Sequence, residues 1–110
     1  MNNYYDNHYA QMKVQPLELM QDILDINEFV AYLMGNVVKY HLRAGHKQGE
    51  TYDKDIAKRD RYLSWIYHLR NGGLYINPKL NYYLDEEFKR IILSEIDKKY
   101  NEMLADNSYD

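Results

Sequence analysis

Cysteine is absent from this chain of 110 residues. Disulfides, thiol catalysis and thiolate-bound metal are therefore excluded. No apolar run approaches the roughly 18 residues that a membrane-spanning helix needs. The opening stretch, MNNYYDNHYAQ, lacks the basic region and apolar core of a secretory signal. A cytoplasmic protein with no membrane partner is the expectation. There is no GxxxxGK[ST] phosphate loop, since Gly45 and Gly49 stand alone. His8, His41, His46 and His68 show no metal-ligand spacing, and no serine-histidine-aspartate arrangement can be picked out. Internal repeats and low-complexity linkers are also missing.

Hydrophobic residues make up 45% of the chain and charged residues 28%, ordinary values for a globular protein. The length suits one domain with a modest core. Two features stand out. There are 13 tyrosines, a residue suited to half-wet pockets and interfaces. Charge is also uneven. Lys39 to Arg61 holds seven basic and four acidic residues, while the remainder holds seven basic and thirteen acidic, for a total of −3. One basic segment in an acidic protein suggests a local anion site and gives no strong nucleic-acid signal.

The hydrophobic period reads as an all-α fold, a small bundle of about four helices with a helical hairpin at its centre. Residues 1–14 read as a mobile arm, 15–70 as the helical core and 83–105 as a C-terminal helix, all in one domain. Pro16 suits a first helical position, and Leu17, Met20 and Leu24 follow at helical spacing. Asp25 and Glu28 resemble a capping box that opens a second helix, about Ile26 to Arg43, ended by Ala44-Gly45. Thr51 or Asp53 can cap a third, about Tyr52 to Arg70, which Asn71-Gly72-Gly73 stops. LYINPKLNYY reads as a loop or at most a brief strand. Asp85-Glu86-Glu87 places negative charge at the start of a fourth helix, with Phe88, Ile92, Ile96 and Met103 as its apolar stripe.

The second helix has two faces. Val30, Met34, Val37, Val38 and Leu42 form one. Phe29, Tyr32, Asn36, Lys39, Tyr40 and Arg43 form the other, too aromatic for a solvated face and too charged for a core. On the third helix Asp55, Lys58, Tyr62, Trp65, Ile66 and Leu69 share a stripe opposite Ile56, Leu63 and Tyr67. Helices joined by a short loop pack antiparallel. Lys39, Arg43 and Lys58 then converge around Asp55, with aromatic rings beside them. Such a wall suits a ligand with phosphates and a flat base. The same pattern fits a plain ion pair between Asp55 and Lys39 or Arg43, with Asn36 bonded to nearby backbone and no ligand at all.

The segment GNVVKYHLRAGHK, with His8-Tyr9, Pro16, Glu18 and Phe29 before it and Asp55, Lys58 and Tyr62-Leu63 after it, resembles a family of small tailed-bacteriophage proteins. Its members are often labelled nucleotide-kinase-like or left without a function. The resemblance covers about His8 to Ile66. Where the family usually has a small and a hydrophobic residue, this chain has Arg59 and Asp60. The resemblance implies phosphoryl transfer between nucleotides in an infected bacterial host. Lys39, Arg43 and Lys58 would hold phosphates, with Lys47 in the matching loop. Asp55 would orient one of them or bind Mg²⁺ through water, and Asp55 and Lys58 are the catalytic candidates. Tyr40, Tyr62 or Trp65 would stack on the base, Asn36 belongs to the same wall, and His8 would close the site from the arm. The same pocket suits a non-catalytic protein that sequesters a nucleotide signal of host defence. A third possibility is direct inhibition of a host protein. The wide apolar stripe of the fourth helix leads us to expect a symmetric homo-oligomer.

Overall fold

Gln15 starts the first helix by donating its backbone N–H to Glu18 Oε1 at 2.8 Å, just ahead of Pro16. This helix, α1 (Pro16–Ile23), closes when the Leu24 N–H reaches Met20 O. Asp25 and Glu28 form the reciprocal box expected of them, each side chain accepting the other's backbone N–H at 2.9 Å. They open α2 (Ile26–His46). Two further helices follow, α3 (Thr51–Arg70) and α4 (Glu86–Ala105). The computed structural model describes residues 12–46 and 51–106, with only the backbone of 45, 46 and 51. Among these residues the fold is all-α, with no strand, and no helix is long and apolar enough to cross a membrane. His8 and the rest of the expected arm up to residue 11, and Lys47 in the connecting loop, lie outside the described residues.

α2 runs three residues beyond the expected stop at Arg43. Ala44 is 3% exposed, so the extra turn is held by packing, and a single glycine costs only about 1 kcal/mol against it. α2 and α3 pack antiparallel along their length. Phe29, Leu33 and Val37 meet Leu63, Ile66 and Leu69, and Leu17 and Ile76 close the ends. The buried seam runs between the two faces read on α2. Phe29 belongs to this core, and Leu33, placed on neither face, has no exposed surface. Leu63 is buried as well, because α4 and α2 cover α3 from two sides.

α3 ends where the N–H groups of Asn71 and Gly73 turn back to His68 O. Gly72 takes a φ of 92°, and a Cβ at Gly73 would collide with the His68 ring, so both positions require glycine. The β-like stretch after it finds no strand partner. Instead the Gln21 side-chain amide pairs with Ile76 both ways, accepting its N–H at 2.8 Å and donating to its carbonyl at 2.9 Å. A side chain thus does the work of a neighbouring strand and buries Ile76.

Asp85 caps α4 by accepting the Phe88 N–H at 2.9 Å. Phe88, Ile92, Leu93 and Ile96 lie half-buried on the core, with Tyr67 against Phe88. Met103 and Ile91 stay about half exposed, so the packed stripe stops short of Met103. Polar links fasten the helix further. Lys89 Nζ reaches Asp60 Oδ2 at 2.8 Å, and Asp60 Oδ1 accepts from Arg59 Nε at 2.9 Å. Arg59 also meets His41 Nδ1 at 3.1 Å, and His41 Nε2 meets Asp97 Oδ1 at 2.8 Å. Arginine only donates, so in this arrangement His41 Nδ1 faces a donor and Nε2 faces an acceptor.

Candidate functional site

Antiparallel packing brings the last turns of α2 beside the first turns of α3. Tyr40 is the centre of the resulting cluster. Lys39 Nζ lies 4.6 Å from its ring centroid, Arg43 Cζ 5.4 Å and Lys58 Nζ 5.4 Å. Cations near a ring gain about 0.5–1 kcal/mol each at exposed positions.

One carboxylate answers these three cations. Asp55 Oδ2 sits 3.7 Å from Arg43 Nε, beyond hydrogen-bond length, and has no hydrogen-bond partner among the described residues. The residue is 2% exposed. Three positive charges against one negative leave two uncompensated. Lys39 and Lys58 are exposed and have no carboxylate partner among the described residues. An unsatisfied buried acceptor costs about 1–3 kcal/mol, a burden the fold carries at this spot.

The aromatic residues form a row. Tyr40 stacks on Tyr62 at 5.9 Å with 14° between planes. Tyr62 meets Trp65 edge-on at 5.1 Å, and the Arg61 guanidinium lies 5.2 Å from the Trp65 ring. The rings expected to receive a base are therefore packed against one another. Burial pushes the Tyr62 hydroxyl well above the usual tyrosine range, helped by Tyr32 and Tyr40, which disfavour a nearby negative charge, and by its hydrogen bond with Tyr32; Arg61 opposes this weakly. Tyr62 is thus a neutral hydrogen-bonding group. Asn36 turns its amide onto its own helix, donating to Tyr32 O at 3.0 Å.

The structure thus gathers Lys39, Tyr40, Arg43, Asp55, Lys58 and Tyr62. Trp65 lies one step along the row, and Asn36 is committed to backbone. Arg61 escaped the sequence reading, although it sits one turn from both Lys58 and Trp65. A cleft of about 440 Å³ beside Trp65 was also missed. Its walls come from α3 (Asp60, Arg61, Ser64), from the segment before α4 (Leu80, Asn81) and from the first residue of α4 (Glu86). Among the described residues no three carboxylate or histidine side chains gather, and Asp55 is enclosed. No step is assigned to a protein-held ion.

Residues 4–64 match a family described as a protein of unknown function, DUF3310. That is more than half of the chain. The chain belongs to this family. Its curated relatives are phage proteins. "Nucleotide kinase gp1.7" of Escherichia phage T7 is 38% identical over 58 residues, covering 51% of this chain and 30% of the relative. "SaV protein" of Lactococcus phage SK1 is 34% identical over 70 residues, covering 64% and 52%. "Gene 1.7 protein" of Enterobacteria phage T3 is 37% identical over 60 residues, covering 53% and 37%. The chain thus spans about half or less of these relatives' length. No solved structure matches it. The family span ends within α3, so Lys39, Tyr40, Arg43, Asp55, Lys58 and Tyr62 fall inside it. Trp65, the 80–86 rim of the cleft and α4 fall beyond it.

Proposed function

We propose that the cluster around Tyr40 binds the phosphates of a nucleotide, and that phosphoryl transfer between nucleotides is the activity it serves. The observation that carries this reading is the imbalance of charge, three cations facing one buried carboxylate. Contacts between cations and phosphate oxygens are about twice as strong as neutral hydrogen bonds. Phosphoryl transfer asks a protein mainly for positioning and positive charge. Lys39 and Lys58 contact the phosphates directly, and Lys58 is the catalytic candidate through its charge. Arg43 joins them, and Asp55 behind it is a positioning residue that sets its side chain. The T7 relative is named a nucleotide kinase, which supports the same chemistry.

The enclosure of Asp55 favours a second reading, capture of a nucleotide without turnover. A buried carboxylate cannot reach an acceptor hydroxyl, and none of the cluster's other side chains is a base. One assay separates the readings. Protein is incubated with a nucleoside triphosphate and a panel of deoxynucleoside monophosphates, and diphosphate formation is followed. Turnover that vanishes in Lys58→Ala supports transfer. Tight binding without turnover supports capture. Absence of both in the wild type contradicts the phosphate site itself.

A further inference from the structure

The cation cluster leaves open where the nucleoside part of such a ligand would go. Tyr40 and Tyr62 stack on each other, and Trp65 is taken by Tyr62 and Arg61, so the row offers no free platform. The 440 Å³ cleft begins where the row ends. On α3 the cleft wall runs from Ala57, next to Lys58, through Arg61 and Ser64 to Trp65, on the side of the helix adjoining the Lys58–Tyr62 stripe. Arg61, over the Trp65 ring, belongs to the wall as well.

We propose that this cleft receives the uncharged nucleoside part of the ligand and so sets which nucleotide the cluster accepts. The inference rests on the cluster being a phosphate site. The volume lies within the range of about 300–1,000 Å³ typical of small-molecule sites. The lining is mixed, with Leu80 and Trp65 apolar and Ser64, Asn81 and Glu86 polar. Glu86 lines the cleft as an exposed carboxylate, and Asp60 adds another, already bonded to Arg59 and Lys89. Two carboxylates repel phosphate toward the lysines and favour a moiety bearing N–H or O–H donors. Trp65 lines the cleft, and its buried Nε1 donor has no hydrogen-bond partner among the described residues, a group open to a ligand acceptor. Residues 80–86 lie beyond the family span, so the rim belongs to a part of the chain that the family pattern does not dictate.

Trp65 is the chain's one tryptophan, so its fluorescence reports on the cleft directly. The four deoxynucleoside triphosphates and inorganic tripolyphosphate are titrated into the wild type and into Asn81→Phe, which fills the cleft from an exposed position. Calorimetry gives affinity, and Trp65 emission gives occupancy. Tripolyphosphate is expected to bind both proteins equally without moving the emission. At least one nucleotide is expected to shift the emission and to bind Asn81→Phe about tenfold more weakly, a loss of about 1.4 kcal/mol. Equal weakening of nucleotide and tripolyphosphate, or nucleotide binding that leaves Trp65 emission and Asn81→Phe affinity unchanged, overturns the inference while the phosphate site stands. If neither ligand binds the wild type, the phosphate reading fails, and the inference falls with it.

Discussion

Leu33, Val37, Leu63 and Ile66 in the α2–α3 hairpin have no exposed surface, whereas none of the 20 residues of α4 is fully buried. The hairpin is closed by interlocked apolar side chains. α4 rests on the hairpin by half-buried contacts and is fastened by the links through Asp60 and His41. Arg59 and Asp60 are central to that fastening. The contrast teaches a division of labour. The family span supplies a rigid frame with charge along one edge. The later segment is attached by polar links to Asp60 and His41 and shapes the neighbouring cleft.

Leu33→Ala should show this contrast most strongly. Removing a fully buried side chain costs about 2–5 kcal/mol, a large share of a small domain's stability. Ile96→Ala, at a half-buried position on α4, should cost about 1–2 kcal/mol. Urea unfolding of the two variants measures the difference, and equal losses would break the distinction between frame and attachment.

Asp60→Ala comes next. It strips Lys89 of its partner and, among the described residues, leaves the buried Arg59 with only His41. A loss of about 1–3 kcal/mol is expected. Amide hydrogen exchange should speed up in the first turns of α4 and stay unchanged at Val37 and Leu63. Exchange that rises equally in all three helices would mean the link supports the whole fold.

Alkaline pH gives a smaller effect confined to the hairpin. The Tyr62 hydroxyl is raised, so the unfolded chain loses that proton first, at about pH 10. The stabilising contribution is complete below that value and is lost as pH climbs toward the folded-state value. Tyr62→Phe should therefore flatten the decline of stability above about pH 10. An unchanged slope would show that Tyr62 titrates normally.

The smallest change in stability is expected on the outer side of α4. Met103→Glu alters a half-exposed position and should move stability by no more than about 0.5 kcal/mol. It also probes assembly better than Ile92, which packs on its own chain. If copies associate through the apolar groups that α4 leaves outward, light scattering gives a wild-type mass above one chain and a lower mass for Met103→Glu. A monomeric wild type sinks the expected homo-oligomer.

Much of the frame could be read from local signals. The Asp25–Glu28 box and the Asp85 cap follow from side chains that meet their own helix within one turn. The convergence of Lys39, Arg43 and Lys58 followed from helical spacing plus antiparallel packing. Periodicity gives an angle on a helix but does not say which distant segment covers that angle. Phe29 was read on the mixed face and Leu33 on neither for that reason, since what packs over them comes from other elements. The Gln21–Ile76 pairing spans 55 residues and carries no local mark. The Trp65 cleft needs the 80–86 segment folded back on α3, so α3 alone could not reveal it.

Lys39 and Lys58 offer a cleaner probe of the cation cluster than Arg43. Removing Arg43 also strands the buried Asp55 carboxylate and would mix stability with binding. Calorimetric titration of nucleoside triphosphate into the wild type and Lys58→Ala, with unfolding midpoints beside it, is the most direct measurement. A phosphate site predicts binding that weakens tenfold or more in Lys58→Ala, a loss of about 1.5–3 kcal/mol. Stability should hold or rise slightly, because a repelling charge is gone. A wild type that binds no nucleotide, or a Lys58→Ala that binds as well as the wild type, would contradict it.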